Sequence, residues 1–89
     1  MGNRQSGPRP PDEIDLHGLT VDEAIPCLDD FLYQAYRNGL RRVWAVHGKG
    51  SGTLRIEIRR HLARHTLVIS FSPADSRRGG AGATQVDLA

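Results

Sequence analysis

Residues 13–18 read Glu-Ile-Asp-Leu-His-Gly, with apolar and polar side chains alternating. That two-residue period predicts a strand with Ile14 and Leu16 on a buried face and Glu13, Asp15 and His17 on the other. The next period is helical. Val21, Ala24, Ile25, Leu28, Phe31, Leu32, Ala35 and Tyr36 form one stripe with the acids opposite, and Thr20 with Glu23 makes a capping box. Asn38-Gly39 closes that helix. Pro26 lies on its outward face and predicts a kink or a late start, because it lacks an amide hydrogen. Residues 41–48 are apolar on both sides of their centre, the pattern of a central strand. A second helix is expected over 53–65, with Leu54, Ile58 and Leu62 spaced by four and His61 and His65 at the edge of that stripe. Two further strands follow, 66–72 (stopped by Pro73) and 83–88, joined by a short, flexible, basic link. A whole helix between the first two strands makes them parallel with a right-handed crossover, whereas the last two should be antiparallel. The expected fold class is α/β, in the order βαβαββ.

Length narrows this to one small domain with a two-layer core. Residues 1–12, polar and carrying Pro8, Pro10 and Pro11, are expected to be a disordered leader to a domain over 13–89. Cys27 is the one cysteine, so no internal disulfide forms, and no Cys/His cluster shows zinc-ligand spacing. No apolar stretch is long enough for a secretory or membrane signal, which points to a soluble, cytoplasmic chain without a membrane partner. The formal net charge of +2 conceals an uneven distribution. Seven acids precede Phe31, while between residues 31 and 64 eight Lys and Arg face only Glu57. Such a split fits either an anionic partner such as nucleic acid or a solvated charged helix face.

The chemistry concentrates where the two parallel strands end, because both end in His-Gly, at His17-Gly18 and His47-Gly48. Ligands of open α/β sheets bind at the carboxyl ends of such strands. Asp15, His17 and His47 are therefore expected to converge on one patch. Beside them runs Gly48-Lys49-Gly50-Ser51-Gly52, whose backbone amides at a helix start suit a phosphate and whose lysine adds a mobile charge. Arg55 and Arg59 are either phosphate clamps or plain surface residues. Trp44 is read as core, with base stacking the alternative. Known nucleotide loops do not fit. Lys49 is followed by Gly50 where a P-loop needs Ser or Thr, and a dinucleotide fingerprint would need glycine at Thr53.

On Asp15-Leu16-His17-Gly18, on the stretch from His47 to Arg55, and on Gly79 to Val86, the chain resembles the Smr (small MutS-related) domain, most closely the version at the C-terminus of the second bacterial MutS paralogue. The resemblance covers about Glu13 to Leu88, and Pro26 departs from the helix former usual there. It implies a two-layer α/β sandwich, a mixed four-stranded sheet with two helices on one face, similar to the C-terminal domain of bacterial translation initiation factor three. It also implies nucleic-acid binding and nicking endonuclease activity on DNA or RNA. By position, Asp15 and His17 belong to the first family motif and His47, Gly48, Lys49 and Gly50 to the second. Arginine also occurs in the family at the position of His17, which makes Asp15 the better candidate base. The parent proteins are linked to restraint of recombination and to rescue of collided ribosomes.

The leading expectation is thus a structure-preferring nicking endonuclease, with Asp15, His17 and His47 catalytic and Gly48 to Gly52, Arg55 and Arg59 holding phosphate. Either a divalent cation, magnesium or manganese, sits near Asp15, or histidine moves the proton while Lys49 and backbone amides hold the charge. The alternative is a non-catalytic module that binds DNA, RNA or the ribosome for the remainder of a larger MutS-like chain. In either case the isolated domain is expected to be monomeric.

Overall fold

Thr20 begins the first helix by the expected exchange: its hydroxyl accepts the Glu23 amide at 3.2 Å, and the Glu23 carboxylate accepts the Thr20 amide at 2.9 Å. The computed structural model describes residues 10–89 and orders them as β1 (Glu13–Asp15), α1 (Val21–Arg37), β2 (Arg42–Val46), α2 (Thr53–Leu62), β3 (Val68–Pro73) and β4 (Ala83–Leu88). The sheet order is β1-β2-β4-β3, with β1 parallel to β2 and the other pairs antiparallel. It is the expected mixed four-stranded sheet with two helices.

One core joins the layers. Leu16, Val43, Ala45, Val86 and Leu88 from the sheet side pack against Ala24, Leu28, Leu32 and Ala35 of α1 and Ile58 and Leu62 of α2. Burying such side chains removes apolar surface from water, the dominant favourable contribution for so small a domain.

Several local expectations need correction. β1 stops at Asp15, although the Leu16 amide still reaches Val46 O at 2.7 Å. Gly18 then turns the chain with φ +82°. Helix α1 starts at Val21 and runs through the exposed Pro26, so the late start is not taken. Helix α2 ends at Leu62, three residues early, and β3 runs from Val68 through Pro73, which an edge strand tolerates. The link before β4 is built of two 3₁₀ turns, Ser76–Arg78 and Gly80–Gly82, the first capped by Asp75, whose carboxylate accepts the Arg77 and Arg78 amides. Most of the expected leader lies outside the described residues, but Asp12 belongs to the fold, since its carbonyl accepts the Trp44 amide at 2.8 Å.

Trp44 is not a core residue. It pairs with Glu13 and Gln85, on the sheet face turned away from Val43 and Ala45, and the Arg78 guanidinium lies 3.6 Å from its ring centroid.

Candidate nucleic-acid interface

Two strand ends and a glycine loop make this edge. Asp15 ends β1, and two residues on, His17 gives its carboxylate two donors: the backbone amide at 3.1 Å and ring Nδ1 at 2.6 Å, both to Oδ1. A carboxylate accepts, so Nδ1 carries a proton, and in the neutral ring the lone pair is then on Nε2. The His17 side chain is 67% exposed and that of Asp15 18%. The pair thus presents an oriented imidazole to solvent from a half-buried anchor.

Gly48 brings the second junction against the first. Its φ is +81°, and a Cβ there would come within 3.3 Å of His17 Cβ, so this approach is restricted to glycine. The loop is buttressed from behind, where Gly82 O accepts the amides of both His47 and Gly48 at 2.9 Å. Helix α2 then starts at Gly52 in the left-handed region, φ +89°, a cap residue with no side chain to offer. Ser51 is spent on Thr53, its hydroxyl donating to Oγ1 of that residue at 3.1 Å and accepting its backbone amide at 3.4 Å. The next amides of the first turn, at the positive end of a helix and beside the exposed Lys49, are the groups to which an anion could bind.

His47 does not join Asp15 and His17, contrary to expectation. Asp15 pairs with Val46, so His47 is one residue out of step and points to the helix side of the sheet, where it is 4% exposed. Its Nδ1 lies 2.9 Å from Gly48 O and its Nε2 2.9 Å from Thr84 Oγ1. A carbonyl only accepts, so Nδ1 donates to Gly48, and the Thr84 hydroxyl donates to Nε2. Arg59 Nε in turn donates to Thr84 Oγ1 at 3.0 Å. The relay Arg59, Thr84, His47, Gly48 satisfies every member. Burial holds the His47 imidazole below its ordinary pKa, with the cationic Arg59 and Arg55 pressing the same way against the Gly48 hydrogen bond, so the neutral ring is favoured.

Arg55 and Arg59 come together on this side of the loop. The Arg55 guanidinium packs over Gly52, within 3.1 Å of where a Cβ would stand, and burial followed by Arg55 lowers the Arg59 pKa. Two neighbouring cations repel each other, a repulsion that an anion placed beside them would offset. Thr84 was not anticipated as part of the site. Its signal was present, because Thr84, Val86 and Leu88 share one parity in β4 and a hydroxyl on a core face needs a partner.

Asp15 offers one carboxylate, whose Oδ1 also accepts from His17, so magnesium or manganese there would need water and substrate phosphate to complete its shell, and among the described residues the one group of three ligating side chains lies elsewhere, at Asp29, His61 and His65. No pocket closes over the edge among the described residues, which leaves an open, basic-flanked surface.

Fold and edge define the class: a two-layer α/β domain carrying an Asp–His pair with the imidazole exposed beside a glycine loop that leads into a helix N-terminus. The Smr domain family model matches residues 14–89, and the chain belongs to that family. It is 47% identical over 77 residues to "Endonuclease MutS2" of Pelotomaculum thermopropionicum, covering 86% of this chain and 10% of that protein. The protein of the same name from Thermomicrobium roseum is 49% identical over 81 residues, 91% of this chain and again 10% of the relative. The chain thus spans about a tenth of the length of these curated relatives. Among solved structures, the Smr domain of Thermus thermophilus MutS2 superposes with a TM-score of 0.85 at 45% identity, covering 88% of this chain and 98% of that one. YdaL, a stand-alone small MutS-related protein from Escherichia coli, gives 0.83 at 30% identity, covering 88% and 64%.

Proposed function

We propose that this domain is a nicking endonuclease acting on structured DNA or RNA, with His17 as general base, Asp15 as the group that orients it, and the loop from Gly48 to Gly52 as the phosphate seat. The observation that carries the reading is the 2.6 Å bond between Asp15 and His17 Nδ1, which leaves the second nitrogen of an exposed ring lone-pair outward beside that seat. Its Nε2 takes the proton of an attacking water, or of the 2′-hydroxyl where the strand is RNA. Lys49 and the first-turn amides of α2 hold the charge that builds on the phosphate oxygens. Arg55 and Arg59, across the loop, grip a neighbouring phosphate. The relay through Thr84 leaves neither nitrogen of His47 for proton transfer, so we assign His47 to holding the Gly48 turn. The name shared by the curated relatives supports the endonuclease assignment. The domain works in the cytoplasm as part of a longer MutS2-like chain, in control of recombination or at stalled ribosomes.

The test is incubation of the purified chain with supercoiled plasmid and with a structured RNA, in magnesium, manganese or chelator. Wild-type nicking should survive the chelator, because His17 takes the proton and Lys49 and backbone amides hold the charge, with no step that needs an ion. His17→Ala should lower the rate by about 10²- to 10⁴-fold, the usual worth of a positioned base. Equal traces in wild type and variant would sink the catalytic reading. The basic edge would then favour a binding module, for which Lys49→Ala and Arg55→Ala each reduce the salt slope of binding by about one.

A further inference from the structure

At the far end of α2, three ligating side chains meet across the helix layer. Asp29 Oδ1, from α1, lies 2.6 Å from His61 Nε2 and 3.3 Å from His65 Nε2. The two rings stand 5.8 Å apart and near-perpendicular at 70°. We propose that Asp29, His61 and His65 form a binding site for a transition-metal dication of the zinc type, stapling α1 to the C-terminal end of α2.

Three observations carry this. Both imidazoles aim the same nitrogen at one carboxylate oxygen, and one ligating atom from each residue lies within 4.8 Å of the others. Zinc bonds of about 2.0–2.2 Å to nitrogen and oxygen place tetrahedral ligand atoms roughly 3.3–3.5 Å apart. The His65 contact is already at that separation, and the His61 contact has only to open by a fraction of an ångström. The side chains are 27%, 15% and 46% exposed for His61, His65 and Asp29, so water can complete the coordination shell. Two imidazoles and a carboxylate select zinc, cobalt or nickel over magnesium or calcium, which prefer all-oxygen shells. His61 and His65 are four residues apart, the spacing at which one helical face presents two histidines, although α2 itself stops at Leu62. This corrects the sequence expectation that no Cys/His cluster shows zinc-ligand spacing: the two histidines supply only part of a ligand set, and the carboxylate that completes it comes from another helix.

The site is independent of the nuclease reading. Helix α2 is ten residues long, about 15 Å, with the glycine loop at its start and this cluster at its end. Binding also requires an exchange of protons within the rings. The Leu67 amide donates to His65 Nδ1 at 3.1 Å, so the ring proton now sits on Nε2 and points at Asp29. When a metal takes both Nε2 atoms, each ring moves its proton to Nδ1 and the Leu67 amide loses its acceptor. That amide is therefore the reporter.

Zinc chloride titrated into the 89-residue chain, followed by amide NMR and calorimetry, should bind as one equivalent and shift the Leu67 amide resonance while speeding its exchange with solvent. Cobalt(II) in its place should give visible d–d bands with no near-ultraviolet thiolate band from Cys27. Asp29→Asn, which keeps the side-chain shape and one hydrogen-bonding oxygen, should weaken zinc by at least about tenfold, as should His61→Ala, while Asp15→Asn should not. An unmoved Leu67 amide, a thiolate band, or an affinity that survives Asp29→Asn and disappears in Asp15→Asn would each overturn the site. Circular dichroism of Asp29→Asn at wild-type intensity separates lost ligation from lost fold.

Discussion

At Thr84 one buried hydroxyl serves two partners, accepting from Arg59 Nε and donating to His47 Nε2. Replacing it with valine keeps the shape and removes both functions. The buried Nε2 of His47 then loses its partner, at a cost of about 1–3 kcal/mol, while the half-buried Arg59 can turn to water at smaller cost. Thr84→Val should therefore lower the urea midpoint with little change in the denaturant slope. His47 is the residue at which the sequence was read with the wrong geometry. The two His-Gly echoes suggested equivalent positions, yet His17 is exposed and His47 is buried. The centre of β2 is apolar on both sides, so its parity could not be assigned from the sequence. The pairing of Asp15 with Val46 decides it.

Among the elements, α1 was the most legible, because its capping box and apolar stripe are encoded within the helix itself. The strand ends and the end of α2 were harder, since backbone pairing and packing against distant segments set them, and the loop that leads into α2 at Thr53 hid its contacts in the same way. Gly52 illustrates the point. Its φ of +89° strains any side chain, and a methyl group there would push the Arg55 guanidinium, 3.1 Å away, out of place. Gly52→Ala should destabilise by about 1–2 kcal/mol through left-handed strain and weaken nucleic-acid binding by displacing Arg55. Thermal unfolding and fluorescence anisotropy with a labelled oligonucleotide check the two halves separately. The turns before β4 were expected to be flexible, but Asp75 caps them and Gly82 O holds the His47 and Gly48 amides, contacts to residues far away in the sequence.

Across the whole molecule, the buried relay makes stability depend on acidity. Burial lowers the His47 pKa in the fold, so below about pH 6.5, the ordinary histidine value, the unfolded chain binds the proton more readily than the folded one. Stability from this residue is present above that pH and is lost as the pH falls through it. His47→Gln should flatten the acid limb of a plot of unfolding free energy against pH, read from urea titrations between pH 5 and pH 7.5. The charge split read from the sequence also acquires a location, with Lys49, Arg55 and Arg59 gathered around one loop at one edge of the sheet.

By itself the sequence determined the order of elements, the core stripes, the helix caps and the membership of Asp15, His17 and the glycine loop in one edge, because these follow from local periodicity, local hydrogen bonding and a parallel pair of strands. Tertiary structure alone decided which face each histidine takes, the arginine–threonine–histidine relay, the arginine lid on Trp44 and the carboxylate that meets His61 and His65. Each of those joins residues from different elements. Register and helix packing set their distances, and neither quantity is written in any one stretch of chain.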